Sequence, residues 1–254
     1  MNEMIDKQLS HRSIREFSEK PVSGEIIETL LAVANRTATS SGLQQFSIIR
    51  VTDAEVKRRI SLICEQDYVN RLPEFFIFIA DCYRNARIGR EQGFDGEGLR
   101  DVDHFFQAFT DACLAAQNLT TAIESLGMGA VYFGSILNDP QELIDILALP
   151  ELTFPVVGVG FGHPAQEPQL KPRMDVSFKV FENRYRVFDD YLEKIAGYDK
   201  EMRTYYDLRE HGRHSASFSE QVVSKAKVIR EKRNLLLRVA RKQGFDLRLR
   251  SVKK

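Results

Sequence analysis

The sequence predicts an α+β fold, a mixed sheet flanked by helices, and three observations lead there. Short runs rich in β-branched and aromatic residues, at Phe46–Val51, Phe75–Ala80, Val131–Phe133 and Phe154–Phe161, have the composition and length of strands. Between them lie longer segments with apolar residues at helical spacing. No internal repeat and no linker divides the 254 residues, so one domain over 1–254 is expected.

Taken in order, Met4, Ile5 and Leu9 predict a short amphipathic first helix. Ser23 is an N-cap for a second helix, whose apolar face is Ile26, Ile27, Leu30, Leu31 and Ala34. The small, hydroxyl-rich stretch Thr37–Gly42 lets a ligand approach the backbone closely, or serves as an ordinary connection. After the strand Phe46–Val51, Asp53 caps a helix running to Ile63. From about 84 to 104 glycines and charges break the periodicity, which predicts a mobile excursion with the character of a lid.

Phe105–Leu126 is the longest apolar helix. Phe105, Phe109, Ala112, Ala116, Leu119, Ile123 and Leu126 line one side, and Gly127 stops it. Small residues nearly all round make it a central helix and a candidate dimer axis. Asp139-Pro140 starts another helix as N-cap and first-turn proline. The run Gly158-Val159-Gly160-Phe161-Gly162 looks like a dinucleotide fingerprint but fails as one. His163 stands where the third glycine belongs, the run is itself a strand, and Pro164 and Pro168 follow instead of a helix. A second mobile excursion is expected over about 200–218. Ser217 and Glu220 then form a capping-box pattern for a basic C-terminal helix over about 219–243, ending before Gly244.

Composition narrows the function classes. Lys plus Arg and Asp plus Glu are both 36, so no global field draws the chain to nucleic acid or membrane. Cys64, Cys82 and Cys113 have neither metal-like nor paired spacing, which predicts reduced thiols in a cytoplasmic protein with no metal site. The N-terminus has no apolar h-region, and no apolar run is long enough to span a bilayer.

The chemistry-bearing stretch is His11-Arg12-Ser13-Ile14-Arg15. In extended backbone His11, Ser13 and Arg15 share a face and Ile14 points away with Arg12. That face spans roughly 13 Å at about 3.3 Å per residue, which suits an extended anionic ligand. A surface strand with ordinary basic residues is the plainer interpretation. Farther on, Leu170-Lys171-Pro172-Arg173 again puts two cations on one side of an extended chain, stiffened by the proline.

Four motifs in order resemble the nitroreductase superfamily, in its NADPH-dependent FMN oxidoreductase branch. They are His11–Phe17, the Ser/Thr loop into Leu43-Gln44, Glu124–Gly127 with Val131–Gly134, and Leu170–Arg173. The resemblance implies an interlocked homodimer with tightly bound FMN and NADPH as electron donor. It implies hydride transfer through FMN to nitroaromatics, quinones or free flavin by a ping-pong cycle, with no catalytic protein residue because the cofactor carries the chemistry. A reductase that supplies free reduced flavin is the competing member of the same class.

Residue by residue, the resemblance implies FMN contacts from His11, Arg12, Ser13, Arg15, Thr39, Ser41, Gln66, Tyr132, Phe133, Gly134, Ser135, Lys171 and Arg173. Arg15 falls beside the pyrimidine edge of the ring, and His11, Ser13, Lys171 and Arg173 fall at the phosphate or its neighbourhood. Arg209 matches a position for the 2′-phosphate of NADPH, assisted by Arg203 and Arg213. Arg230 and Arg233 match the acceptor side. Gly42 replaces an aromatic residue that can line the substrate cavity, and Thr39 replaces a serine. From a different class, the basic C-terminal helix suits a nucleic-acid-binding scaffold.

Overall fold

The computed structural model describes residues 2–95, 97–207 and 213–247. Their contacts divide the chain into two compact units where one domain is expected: 1–166 with 230–254, and 167–229. Pro164, Pro168 and Pro172 stand at four-residue spacing across the first boundary, and proline excludes regular structure there.

In the first unit, four strands form one sheet in the order β1 (Phe46–Arg50), β2 (Glu74–Asp81), β4 (Thr153–Gly162), β3 (Gly129–Phe133). Every pairing is antiparallel, which corrects the mixed sheet. Arg50 pairs with Phe76, so the connection from β1 to β2 leaves and re-enters at one end of the sheet. That connection contains helix α3 (Ala54–Cys64), and a helix between strands invites a parallel crossover that the register forbids. The parallel pairings among the described residues are two isolated bridges, Ser13–Ala130 and Asp101–Asp246.

All eight positions of β2 are buried, and Phe75, Phe76, Phe78, Phe154 and Phe161 are among the largest fully buried side chains. The glycines of β4 make this packing possible. A Cβ on Gly158 would lie 2.8 Å from Phe75, one on Gly160 2.7 Å from Leu72, and one on Gly162 2.7 Å from Pro73. The alternating glycines therefore form a smooth strip under residues 72–75, which explains the false fingerprint. Pro155 sits in β4 at a register shift, where Phe78 pairs with Val157 and Ile79 with Pro155.

Helix α5 (Val102–Ser125) packs across the sheet and against α2 (Gly24–Asn35). Its buried side carries Phe105, Ala108, Ala112, Ala115, Ala116, Leu119 and Ile123, and Gly127 follows it at φ +74°. Leu126 is half exposed and leaves the expected stripe. The caps follow the sequence closely: Asn2 opens α1 (Glu3–Leu9), Ser23 opens α2, Asp53 opens α3 and Asp139 opens α6 (Pro140–Ile146).

The stretch about 84–104, expected as an irregular excursion, is largely regular. It holds α4 (Tyr83–Glu91), a 3-10 turn (Glu97–Arg100) and the start of α5. Asp81 accepts from Arg84 N at 3.1 Å and stabilises the first turn of α4, and Ala86 anchors it by burial.

The second unit contains α7 (Tyr191–Thr204), the two-stranded ribbon β5 (Tyr206–Asp207) and β6 (Arg213–His214), and α8 (Phe218–Ala226). Helix and ribbon thus occupy most of the described part of 200–218. The capping box at Ser217 and Glu220 is present. The single helix over 219–243 is not: α8 ends at Ala226, and α9 (Leu236–Lys242) follows in the first unit. Lys227, Arg230, Lys232 and Arg233 concentrate like charge between them, and Val228 and Ile229 are exposed. A helix there has no apolar face to bury.

Candidate functional site

Within the first unit, α5 gathers several segments that carry the expected site residues. The first is His11–Arg15. Ile14 N donates to Ala130 O at 2.9 Å beside the Ser13–Ala130 bridge, and Ile14 is buried over Gly129. His11, Ser13 and Arg15 stay partly exposed, as the alternation requires, but Arg12, expected to point away with Ile14, is partly exposed as well. His11 Nδ1 meets Glu124 Oε1 at 2.5 Å, so the last turn of α5 orients the imidazole. With its amide flipped to face these donors, Gln166 braces the same segment, its oxygen accepting from Arg15 N (2.5 Å) and Glu16 N (3.0 Å).

The second is the loop Thr39–Gln45. Ser41, Gly42 and Gln44 all adopt left-handed backbone, at φ +53°, +68° and +51°. For a residue with a Cβ this conformation costs roughly 1–2 kcal/mol, so the surroundings must hold it. Asp111, fully buried in α5, accepts from Ser40 N (2.8 Å) and Gln45 N (3.2 Å). Thr39 Oγ1 accepts from Gln44 N at 3.3 Å, and Asn85 donates to Leu43 O at 2.9 Å.

The third is the end of β3 and its turn. Tyr132 donates to Gln117 Oε1 at 3.2 Å, and burial pushes its phenol up from the ordinary tyrosine value. Phe133 is buried against Phe75, with ring centroids 5.3 Å apart. Ser135 Oγ and Tyr68 OH both donate to Gln66 Oε1, at 3.4 and 3.1 Å, which fixes the orientation of the Gln66 amide. Cys64 is buried beside Ser135, and burial pushes its thiol up to about 11, so it is inert.

Two atoms bear on what the segment could hold. Arg12 Nε and Arg15 Nε are buried with no partner among the described residues. A buried guanidinium N–H normally finds an acceptor. With a hydroxyl and an imidazole in the same segment, these donors fit an anionic, hydrogen-bond-accepting group such as FMN.

The basic residues of the second half are placed differently from one another. Arg233 Nη1 donates to Gly134 O at 2.8 Å and to Asn138 Oδ1 at 3.4 Å, so it clasps the turn after β3. Arg230 pairs with Glu65 at 3.2 Å and Lys232 with Asp139. In the second unit, Lys171 Nζ lies 5.7 Å from the centre of the Tyr205 ring, and Arg173 Nη1 donates to Lys171 O at 2.9 Å. Arg203 pairs with Glu220 at 3.3 Å. Arg213 is placed in β6 by its backbone, and Arg209 lies outside the described residues.

The sequence did not single out Asp111 or Gln117. Polar residues interrupting an otherwise apolar helix, six or seven positions apart with Glu124, are the signal that could have found them.

Comparison with known proteins covers most of the chain. The model of the nitroreductase family matches residues 9–163, and that of the nitroreductase family C-terminal domain matches 171–248. An FMN reductase (NADPH) of Bacillus subtilis is 36% identical over 249 residues, covering 97% of this chain and 99% of that one. An oxygen-insensitive NADPH nitroreductase of Salmonella typhimurium is 34% identical, covering 98% and 100%. Among solved structures, the NADPH:FMN oxidoreductase of Vibrio harveyi complexed with NAD+ superposes with a TM-score of 0.85 at 31% identity, covering 97% of this chain and all of that one.

Proposed function

Because the chain belongs to the nitroreductase family, we propose that it is an FMN-dependent oxidoreductase that takes hydride from NADPH and reduces small acceptors. Nitroaromatics, quinones and free flavin are the acceptor classes, and relatives named for nitro and for flavin reduction support both. The observation that carries this for the chain itself is the pair of buried, unpartnered guanidinium N–H groups at Arg12 and Arg15.

Bound FMN supplies the hydride relay between NADPH and the acceptor. The protein holds and orients. Arg15 is assigned the pyrimidine edge of the ring, where a fixed cation stabilises the negative charge that accompanies reduction. Ser13, His11 and Arg12 would hold the polar side chain of the cofactor. The hydroxyls of Thr39 and Ser41 and the oriented amide of Gln66 would flank the ring, and Tyr132, Phe133, Gly134 and Ser135 would form the turn beside it. The phosphate contacts of Lys171 and Arg173 rest on the family resemblance, as does the role of Arg209 with Arg203 and Arg213 at the NADPH 2′-phosphate. The ion pairs of Arg230 with Glu65 and Lys232 with Asp139 engage part of the basic segment that a nucleic-acid scaffold would need.

A homodimer is supported by apolar side chains exposed on α1 and α5, among them Ile5, Leu9, Phe106 and Leu114. Three free cysteines support a cytoplasmic location. Among the described residues no helix is long and apolar enough to cross a membrane.

The visible spectrum tests the function. The purified protein is expected to be yellow, to bleach on anaerobic addition of NADPH, and to regain colour with a nitroaromatic or quinone. A protein that takes up no FMN overturns the proposal. Arg209→Ala is expected to raise KM for NADPH by about tenfold or more, as loss of a charge-assisted contact does, and to leave KM for NADH nearly unchanged. Equal changes for both donors would remove Arg209 from the phosphate.

A further inference from the structure

We propose that Asp111 is a positioning residue that clamps the Thr39–Gln45 loop in its cofactor-facing conformation. This rests on the proposed FMN site, since the loop carries Thr39 and Ser41. The carboxylate is fully buried in α5 and reaches both ends of the loop, with one oxygen on Ser40 N at 2.8 Å and the other on Gln45 N at 3.2 Å. Between those anchors lie three left-handed residues, Ser41, Gly42 and Gln44. Left-handed serine and glutamine relax to ordinary backbone unless both ends of the loop are fixed.

The surroundings favour the clamp over a general core role. Gln45, the inner anchor, is itself fully buried, with His104 Nδ1 at 3.1 Å and Cys82 Sγ at 3.4 Å from its side-chain oxygen. That end cannot drift, so the Ser40 contact decides how the hydroxyls are presented. A carboxylate is suited to this task because both of its oxygens accept. Asparagine has one accepting oxygen and an NH2 group that would face a backbone N–H.

The test compares wild type, Asp111→Asn, Ser40→Pro and Leu119→Ala. Ser40→Pro deletes the donor while keeping the carboxylate, and Thr39 is already extended (ψ 154°), as a residue before proline requires. Leu119→Ala opens the core about two turns farther along the same helix than Asp111 and serves as a stability control. FMN affinity is read by fluorescence titration, the bound-flavin absorption envelope by difference spectroscopy, and folding by melting temperature. Asp111→Asn and Ser40→Pro are expected to weaken FMN at least tenfold and to shift the envelope, whereas Leu119→Ala lowers the melting temperature and keeps affinity and envelope within twofold. Wild-type affinity and envelope in Asp111→Asn would overturn the clamp. If that variant does not fold, the same result in Ser40→Pro does so. Failure of the wild type to bind FMN would sink the function itself.

Discussion

Arg15→Ala is expected to weaken FMN binding by about 10- to 100-fold and to lower the reduction potential of the flavin that remains. The affinity loss follows from the ordinary contribution of a hydrogen bond to a charged group, about 1.5–3 kcal/mol, at about 1.4 kcal/mol per factor of ten. Arg15 Nε is buried with no partner among the described residues, and Nη1 has only a long contact to Ser13 O, at 3.5 Å. Folding alone therefore leaves the guanidinium poorly satisfied, and a ligand would complete it. Removing it should cost the apoprotein little and the holoprotein much. Arg15→Lys separates charge from fork geometry: it should preserve most of the potential and only part of the affinity. Fluorescence titration and a redox titration against a dye of known potential read the two effects. If the alanine variant retained wild-type values for both, Arg15 would have no place at the ring.

How far the sequence exposes this site depends on whether the controlling contact is local. Caps are local, so Ser23, Asp53, Asp139 and Ser217 are legible from their own neighbours, and so are the apolar strands. The alternation in His11–Arg15 is local as well, and it places Ile14 inward correctly. The direction of the sheet is not, because α3 hides the fact that its connection returns to the same end. Helix α4 carries three arginines and Gly89, and reads as loop until the hydrogen bond from Arg84 N to Asp81 and the burial of Ala86 are seen. Charge in the 219–243 stretch reads as one basic helix, but a helix is held by what it buries, and Val228 and Ile229 bury nothing. The anchors Asp111 and Gln117 act across 66 and 15 residues of sequence, on Gln45 and Tyr132. Their spacing in the apolar helix marks them as polar residues to explain, but not which segments they hold.

The same distinction makes Gly129 a sensitive position outside the ligand contacts. Gly129→Ala is expected to destabilise the fold by about 1–3 kcal/mol, the usual range for overpacking a filled site, and to abolish FMN retention at micromolar protein. The cause is steric, because Gly129 has no positive φ that alanine would strain. An added Cβ would lie 2.7 Å from Ile14 Cβ and 3.1 Å from Ile14 Cγ2. Ile14 cannot yield by changing rotamer, since its own Cβ is in the way. The backbone of 11–15 must instead move off β3, and the Ile14 N to Ala130 O bond and the Ser13–Ala130 bridge go with it. His11, Ser13 and Arg15 would then be displaced together, although none of them is mutated. The reciprocal change tests this. Ile14→Gly alone leaves a void and should destabilise on its own. Combined with Gly129→Ala, the new methyl enters that void, so the double variant should be more stable than the sum of the two losses and should recover part of the FMN binding. Denaturant unfolding of all four proteins measures the coupling. Strict additivity would mean that the two side chains do not compete for one space, and the contact between Ile14 and Gly129 would then not be what seats the segment.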